Sequence, residues 1–209
     1  MSVQYLVRAD VVDITQDTPC NTDRFLVDSN IWLWLTYSKV GYGVPDRRAG
    51  VMKTYASFVD GSLSADASLC CCGLSLAELS HIIEKTEREI YCSGRSGNTI
   101  KPKEYRHNHP VQREHVANEI RVAWEQVAGF AEPLSVIIDD ATTQAALERL
   151  QHEKVDGYDL FMLEFMRANG VMQVLTDDGD FSTVPGIQVF TANRNVIRAA
   201  KAQGKALIR

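Results

Sequence analysis

The feature that most limits what this chain can fold into is its alternation of short, densely apolar runs with longer stretches of helical periodicity. Arg24-Phe25-Leu26-Val27 predicts a buried strand ending at Asp28, and Ile31 to Tyr37 a helix. Ala49 to Val59 carries Val51, Met52, Tyr55, Phe58 and Val59 at helical spacing, with Gly61-Ser62 as the stop. Ser68-Leu69-Cys70-Cys71-Cys72 predicts a second buried strand, with cysteine acting as a small apolar residue. A helix then opens at Ser75-Leu76-Ala77-Glu78 and runs to about Ile90. Cys92 to His109 is polar, glycine-containing and basic, which predicts a mobile loop or insertion.

Pro110 begins a long helix with Val116, Ile120, Trp124 and Val127 on one face. Ser135 to Ile138 predicts a short strand, and Asp139 or Asp140 caps a helix reaching about Glu153. Asp156-Gly157-Tyr158-Asp159 opens another helix, closed by Gly170 as a left-handed cap. Val174-Leu175-Thr176 and Gln188-Val189-Phe190 predict the last strands, before a helical basic tail. This alternation predicts an α/β sandwich with a parallel sheet. Ligands of such sheets sit beyond the carboxyl ends of the strands, which is where Asp28 and Asp178 fall.

A chain of 209 residues can bury a core without disulfides or a structural metal, and five cysteines, three of them adjacent, do not form a disulfide framework. No apolar run approaches the roughly 18 residues that span a bilayer. The first residues lack a signal-peptide pattern, so the expected location is the cytoplasm, with no membrane partner. The net charge of −5 is unevenly spread. From Phe181 onward there is no acid, but Arg194, Arg198, Lys201, Lys205 and Arg209. Arg95, Lys101, Lys103, Arg106 and Arg113 stand against Glu104 alone. Acids in one place and bases in another suit a nuclease, though a solvated surface and a frayed tail give the same pattern.

The acids carry the chemistry. Asp28 ends a strand, Glu78 and Asp159 stand in first turns of helices, and Asp178 follows another strand. Gathered together, such carboxylates repel one another and require a bound cation or protonation. Mg²⁺ or Mn²⁺ fits, because both prefer oxygen ligands. Each acid also has a structural explanation. Ser75-x-x-Glu78 reads as a capping box, Asp156 or Asp159 as a partner of a helix dipole, and Asp177-Asp178-Gly179-Asp180 as a turn. Asp28, directly after Phe-Leu-Val, is hardest to explain without a partner or a metal.

Four motifs in order resemble those of PIN domains. Phe25-Leu26-Val27-Asp28-Ser29-Asn30-Ile31-Trp32-Leu33 looks like the opening strand and helix, and Leu74-Ser75-Leu76-Ala77-Glu78-Leu79 like the second acidic motif. Asp156-Gly157-Tyr158-Asp159-Leu160-Phe161-Met162-Leu163 resembles the third, and Leu175-Thr176-Asp177-Asp178-Gly179-Asp180-Phe181 the fourth. The resemblance runs from about Phe25 to Phe190. It implies a PIN-like three-layer α/β/α sandwich and a metal-dependent endoribonuclease, often the toxin of a toxin–antitoxin pair. It gives the metal-site role to Asp28, Glu78, Asp159 and Asp178. Supporting positions fall to Asn30 and Thr176, and auxiliary ones to Asp180 and Asp156.

The implied partners are RNA and either an antitoxin protein or a second copy in a homodimer. The chain is longer than the typical small toxins. It divides into an N-terminal extension (1–23), a PIN-like domain (24–192) with an insertion around 91–125, and a basic tail (193–209). The rival reading is a non-catalytic PIN-like module that binds RNA or protein.

Other chemistries are set aside. His107, His109, His115 and Cys92 match no common zinc spacing. The cysteine triplet lies in a buried strand, and Asp28-Ser29-Asn30 lacks the second acid of an Asp-x-Asp-x-Thr phosphatase. Trp32, Trp34 and Trp124 read as core or interface rather than as a base-stacking platform, and no glycine-rich phosphate loop is present.

Overall fold

The computed structural model describes residues 3–41, 46–94 and 99–209. The strands are β1 (Asp10–Asp13), β2 (Arg24–Val27), β3 (Ser68–Cys71), β4 (Glu132–Pro133), β5 (Gln173–Leu175), β6 (Gln188–Thr191) and β7 (Ala206–Leu207). The helices are α1 (Ser29–Thr36), α2 (Asp46–Ser64), α3 (Gly73–Ser93), α4 (Pro102–Asn108), α5 (Pro110–Phe130), α6 (Asp140–His152), α7 (Gly157–Ala168) and α8 (Arg194–Ala202). The sheet order is β4-β3-β2-β5-β6-β1-β7, and every pair is parallel. The expected α/β architecture with a central parallel sheet is therefore present.

Side chains alternate across each strand, so one sheet feeds two cores. Leu26, Cys70, Val174 and Val189 pack on one face with Met162, Leu163 and Met166 of α7 and Val196 of α8. Phe25, Val27, Leu69, Cys71, Leu175 and Phe190 pack on the other with Ile31 and Trp32 of α1, Tyr55 and Phe58 of α2, Ile83 of α3 and Val127 of α5. Helices on both faces make three layers, and burial on both faces explains why these strands read as unbroken apolar runs.

The chain runs outward from β2 to β3 and β4, then returns to place β5 on the other side of β2. The carboxyl ends of β2 and β5 therefore flank the switch point, where a crevice opens in sheets of this kind.

Several local expectations need correction. Gly61-Ser62 does not stop α2, because the buried Ser62 hydroxyl donates to the Phe58 carbonyl at 2.8 Å and so satisfies itself within the helix. The turn comes later, at Asp66, whose φ is 59°. Ser135 to Ile138 is not a strand; Glu132–Pro133 pairs with β3 instead. β3 ends at Cys71 because Cys72 is the N-cap of α3, which leaves no ladder for a longer partner, and Ile137 and Ile138 stay exposed. The polar stretch from Cys92 to His109 contains α4, anchored by the buried ring of Tyr105. Residues 1–23, set apart in the sequence, supply β1 between β6 and β7, and the basic tail supplies α8 and the unforeseen β7.

Candidate functional site

Asp28 follows β2 and caps α1: its Oδ1 accepts the Asn30 amide at 3.4 Å. Its Oδ2 accepts the Thr176 hydroxyl at 2.6 Å. The same hydroxyl accepts the Asp178 amide at 2.8 Å, and Asp178 Oδ1 in turn accepts the Asp180 amide at 2.9 Å. Thr176 thus ties the end of β5 to the end of β2, and it fixes where both aspartates stand. Asn30 supports the site through its backbone.

Glu78 lies in the second turn of α3, not the first. Ser75 does not cap that helix as N-cap; its Oγ sits at the third helical position and accepts the Cys72 amide at 3.3 Å. Glu78 is thereby released from the capping role that the sequence pattern offers it. Its Oε2 is buried and has no hydrogen-bond partner among the described residues. Asp159 stands in the first turn of α7, and Asp156 is that helix's N-cap without using its side chain as a cap.

The acids lie close enough to act on one another's charge. Burial pushes the Asp159 carboxyl up to about 9, helped by the charges of Asp28, Glu78, Asp178 and Asp156. Asp28 is pushed up to about 7 by burial, against the Thr176 hydrogen bond and with Glu78 and Asp178 adding to the rise. Glu78 is raised by burial, opposed by the nearby Ser29 hydroxyl, with Asp178 and Asp156 raising it further. Asp180 is raised by burial, Asp178 and Asp156. The structure thus brings together Asp28, Glu78, Asp159 and Asp178, with Asp156 and Asp180 at the rim.

Asp177 faces elsewhere. Its Oδ1 accepts the Tyr55 hydroxyl at 3.1 Å; burial raises its carboxyl above the usual range, opposed by that hydrogen bond and by the charge of Arg48. Gly179 has a separate reason to be glycine: a Cβ there would lie 2.1 Å from Cε1 of Tyr5, whose ring covers the turn.

Buried carboxylates elsewhere provide the control. Asp23 binds Arg209, Glu87 binds Lys39, Glu153 binds Arg149, and Glu164 binds both Arg149 and Arg167. Asp28 is as buried as these, yet no lysine or arginine pairs with it or with Glu78, Asp159 or Asp178 among the described residues. An all-oxygen cluster with a buried oxygen that lacks a hydrogen-bond partner, and with no lysine or arginine paired to it among the described residues, although His81 lies near enough to favour the Glu78 charge, fits a hard divalent cation. The cluster is loose: among the described residues, no three of these carboxylates offer oxygens all within 4.8 Å of one another. That spacing leaves room for water, which such cations usually retain.

A second group does meet that distance. Glu87 and the α5 residues His115 and Glu119 offer atoms within 4.8 Å of one another and could hold a metal ion. Lys39 Nζ already stands there, 2.6 Å from Glu87 Oε1 and 2.9 Å from His115 Nε2. The sequence signal for this group is the spacing of four between His115 and Glu119; Glu87 lies on another helix and gives none. His109, weighed with His115 in the sequence, packs instead against Tyr91 and Tyr105.

The basic segments divide. Arg106 and Arg113 both pair with Glu84, and Arg209 pairs with Asp17 and Asp23. Lys205 lies 3.6 Å from Asp10. Arg194, Arg198 and Lys201 are exposed on α8, whose N-cap Asn193 donates to the Asp177 carbonyl at 2.8 Å. Arg95 lies outside the described residues. No helix among the described residues is long and apolar enough to cross a membrane.

Comparison with known protein families and with curated proteins returns no match for this sequence.

Proposed function

We propose that this chain is a divalent-metal-dependent endoribonuclease of the PIN kind, with Asp28, Glu78, Asp159 and Asp178 as its metal-site residues. One observation carries the reading: Asp28 is buried with no lysine or arginine paired to it among the described residues, and three further acids act on its charge from α3, α7 and the end of β5. The position at the switch point of a parallel sheet, and the four motifs in PIN order, support the same reading.

Oxygen-only donors favour Mg²⁺ or Mn²⁺. Such an ion, when bound, offsets charge on the phosphodiester and makes deprotonation of a water easier. The chain's own residues do the positioning. Thr176 holds Asp28 in one orientation, while Glu78, near the Ser29 hydroxyl, offers an Oε2 that makes no hydrogen bond among the described residues. Burial and the neighbouring acids favour the protonated form of Asp159, and a bound cation would favour its carboxylate. Asp177, held by Tyr55, stays outside. Arg194, Arg198 and Lys201 supply positive surface for the RNA backbone. In the toxin branch the further partner is an antitoxin protein or a second copy of the chain.

The test is cleavage of structured and unstructured RNA with and without Mn²⁺ or Mg²⁺. Metal-dependent cleavage is expected, and Asp28→Asn or Asp159→Asn should reduce it by about 10² to 10³-fold, the scale of one lost electrostatic contact at a reacting centre. No cleavage with either metal, or full activity in either variant, would overturn the reading.

A further inference from the structure

A cleft of about 510 Å³ opens between α1, α2 and α3, lined by Asn30, Trp34, Arg48, Met52 and Ile82 among others. It adjoins the acid cluster, because Asn30 both lines the cleft and gives its amide to Asp28. Trp34 is only half-buried, unlike the fully enclosed Trp32: it packs against the core as expected, yet part of its ring remains open to the cleft. The Trp34 ring is held in place: it meets Tyr55 edge to face at 5.5 Å, and the Tyr55 hydroxyl bonds the Thr176 carbonyl at 2.9 Å. The exposed Arg48 guanidinium stands over the same ring, 6.0 Å from its centre.

We propose that this cleft receives an unpaired nucleobase of single-stranded RNA, stacked between Trp34 and the Arg48 guanidinium; the proposal rests on the ribonuclease reading for its substrate class. A base sandwiched between two planes needs them roughly 7 Å apart, twice a van der Waals contact of about 3.5 Å. The present separation is slightly short of that, and an exposed arginine side chain moves by such an amount freely. A fixed aromatic plane costs no ordering when the base arrives, and the cation adds attraction to both base and phosphate. The adjoining acids would then meet the phosphate next to the stacked base. A paired base cannot enter, because its faces are already stacked within the helix, so the cleft selects single strands.

The experiment measures fluorescence anisotropy of labelled hexanucleotide RNA and of a blunt RNA duplex, with Ca²⁺ in place of Mg²⁺ and intactness of the RNA checked on a gel. Trp34→Ala should weaken single-strand binding by about tenfold, and Arg48→Ala by a smaller factor, with duplex binding unchanged. Trp34→Phe should restore most of the affinity. Arg48 is exposed, so its variant reports on the cleft even if Trp34→Ala impairs folding. Unchanged single-strand affinity in both alanine variants, equal losses for duplex and single strand, or no single-strand binding by the unaltered protein would overturn the proposal. Cleavage by the unaltered protein separates the two readings. Trp34-dependent binding without cleavage keeps the cleft and removes the ribonuclease. Cleavage with an unchanged KM in Trp34→Ala does the reverse.

Discussion

Two groups of acids in this molecule are solved in opposite ways. Around Glu87, the chain supplies the positive charge itself: Lys39 Nζ sits 2.6 Å away, and the Tyr37 hydroxyl donates at 2.8 Å. Around Asp28, it supplies a hydroxyl, an amide and more acids, but no lysine or arginine among the described residues. Both acids are nearly inaccessible to water, so burial alone does not separate them. The presence of an internal cation does. A buried carboxylate with its cation in place is a structural device, whereas one without is a socket that draws its cation from outside. Mutual distance alone selects the other group, the trio beside which Lys39 stands.

The largest effect that would break this contrast is thermal. Mg²⁺ or Mn²⁺ at about 100 times its Kd should stabilise the protein by about 2.7 kcal/mol, or roughly 5 to 10 °C at this length. The rise should vanish in Asp28→Asn and survive in His115→Ala. If His115→Ala abolishes it while Asp28→Asn keeps it, the roles of the two groups are exchanged.

Neutralising one acid in each group comes next. Glu87→Gln leaves Lys39 facing a neutral amide and should destabilise the protein by about 2 kcal/mol, discounted because Lys39 is partly exposed. Asp28→Asn should instead stabilise the metal-free protein, by about 1 kcal/mol, because it removes a charge that repels its neighbours. Urea unfolding in EDTA gives both signs, and equal signs would dissolve the distinction.

The smallest effect is in pH. Asp28 and Asp159 have folded-state values raised to about 7 and about 9, above those of free aspartate. The folded protein therefore holds more protons than the unfolded chain between about pH 4 and pH 9. Stability of the metal-free form is fully present at the acid end and falls as pH rises through that window. Asp159→Asn should flatten the slope. A metal-free stability that rises over this range would contradict the cluster.

Much of this was legible in the sequence because the deciding signals are local. The run Phe25-Leu26-Val27 followed by Asp28 needs only the alternation of a buried strand and the cost of burying a charge. Asp139 and Gly170 declare their helix ends by their own side chain and backbone chemistry. Asp177 and Asp178 differ in their partners, Tyr55 for the first and the Thr176 hydroxyl and Asp180 amide for the second, which no sequence pattern declares. What escaped the sequence depends on partners far along the chain. Asp10–Asp13 is a strand only because β6 and β7 receive it, and Ser135 to Ile138 is not one only because β3 has already turned into α3. The Ser75 pattern was misplaced by three residues, since Cys72 gives no capping signal as a side chain. Trp34 differs from Trp32 by the helix face it occupies, and its open side becomes apparent once α2 and α3 are in place.

The position of β1 has a consequence for synthesis. It leaves the ribosome before the other strands of the sheet, yet both of its neighbours, β6 and β7, follow it by more than 170 residues. Until those segments emerge, its backbone donors and acceptors have no ladder to join. Contacts between such distant segments slow folding, because a long loop must close before they bring any gain. The turn bearing Asp178 is covered from one side by Tyr5, just ahead of β1, and tethered from another by Asn193, just after β6. The turn bearing Asp178 thus gains its full packing only when the segment ahead of β2 and the segment after β6 have both been made.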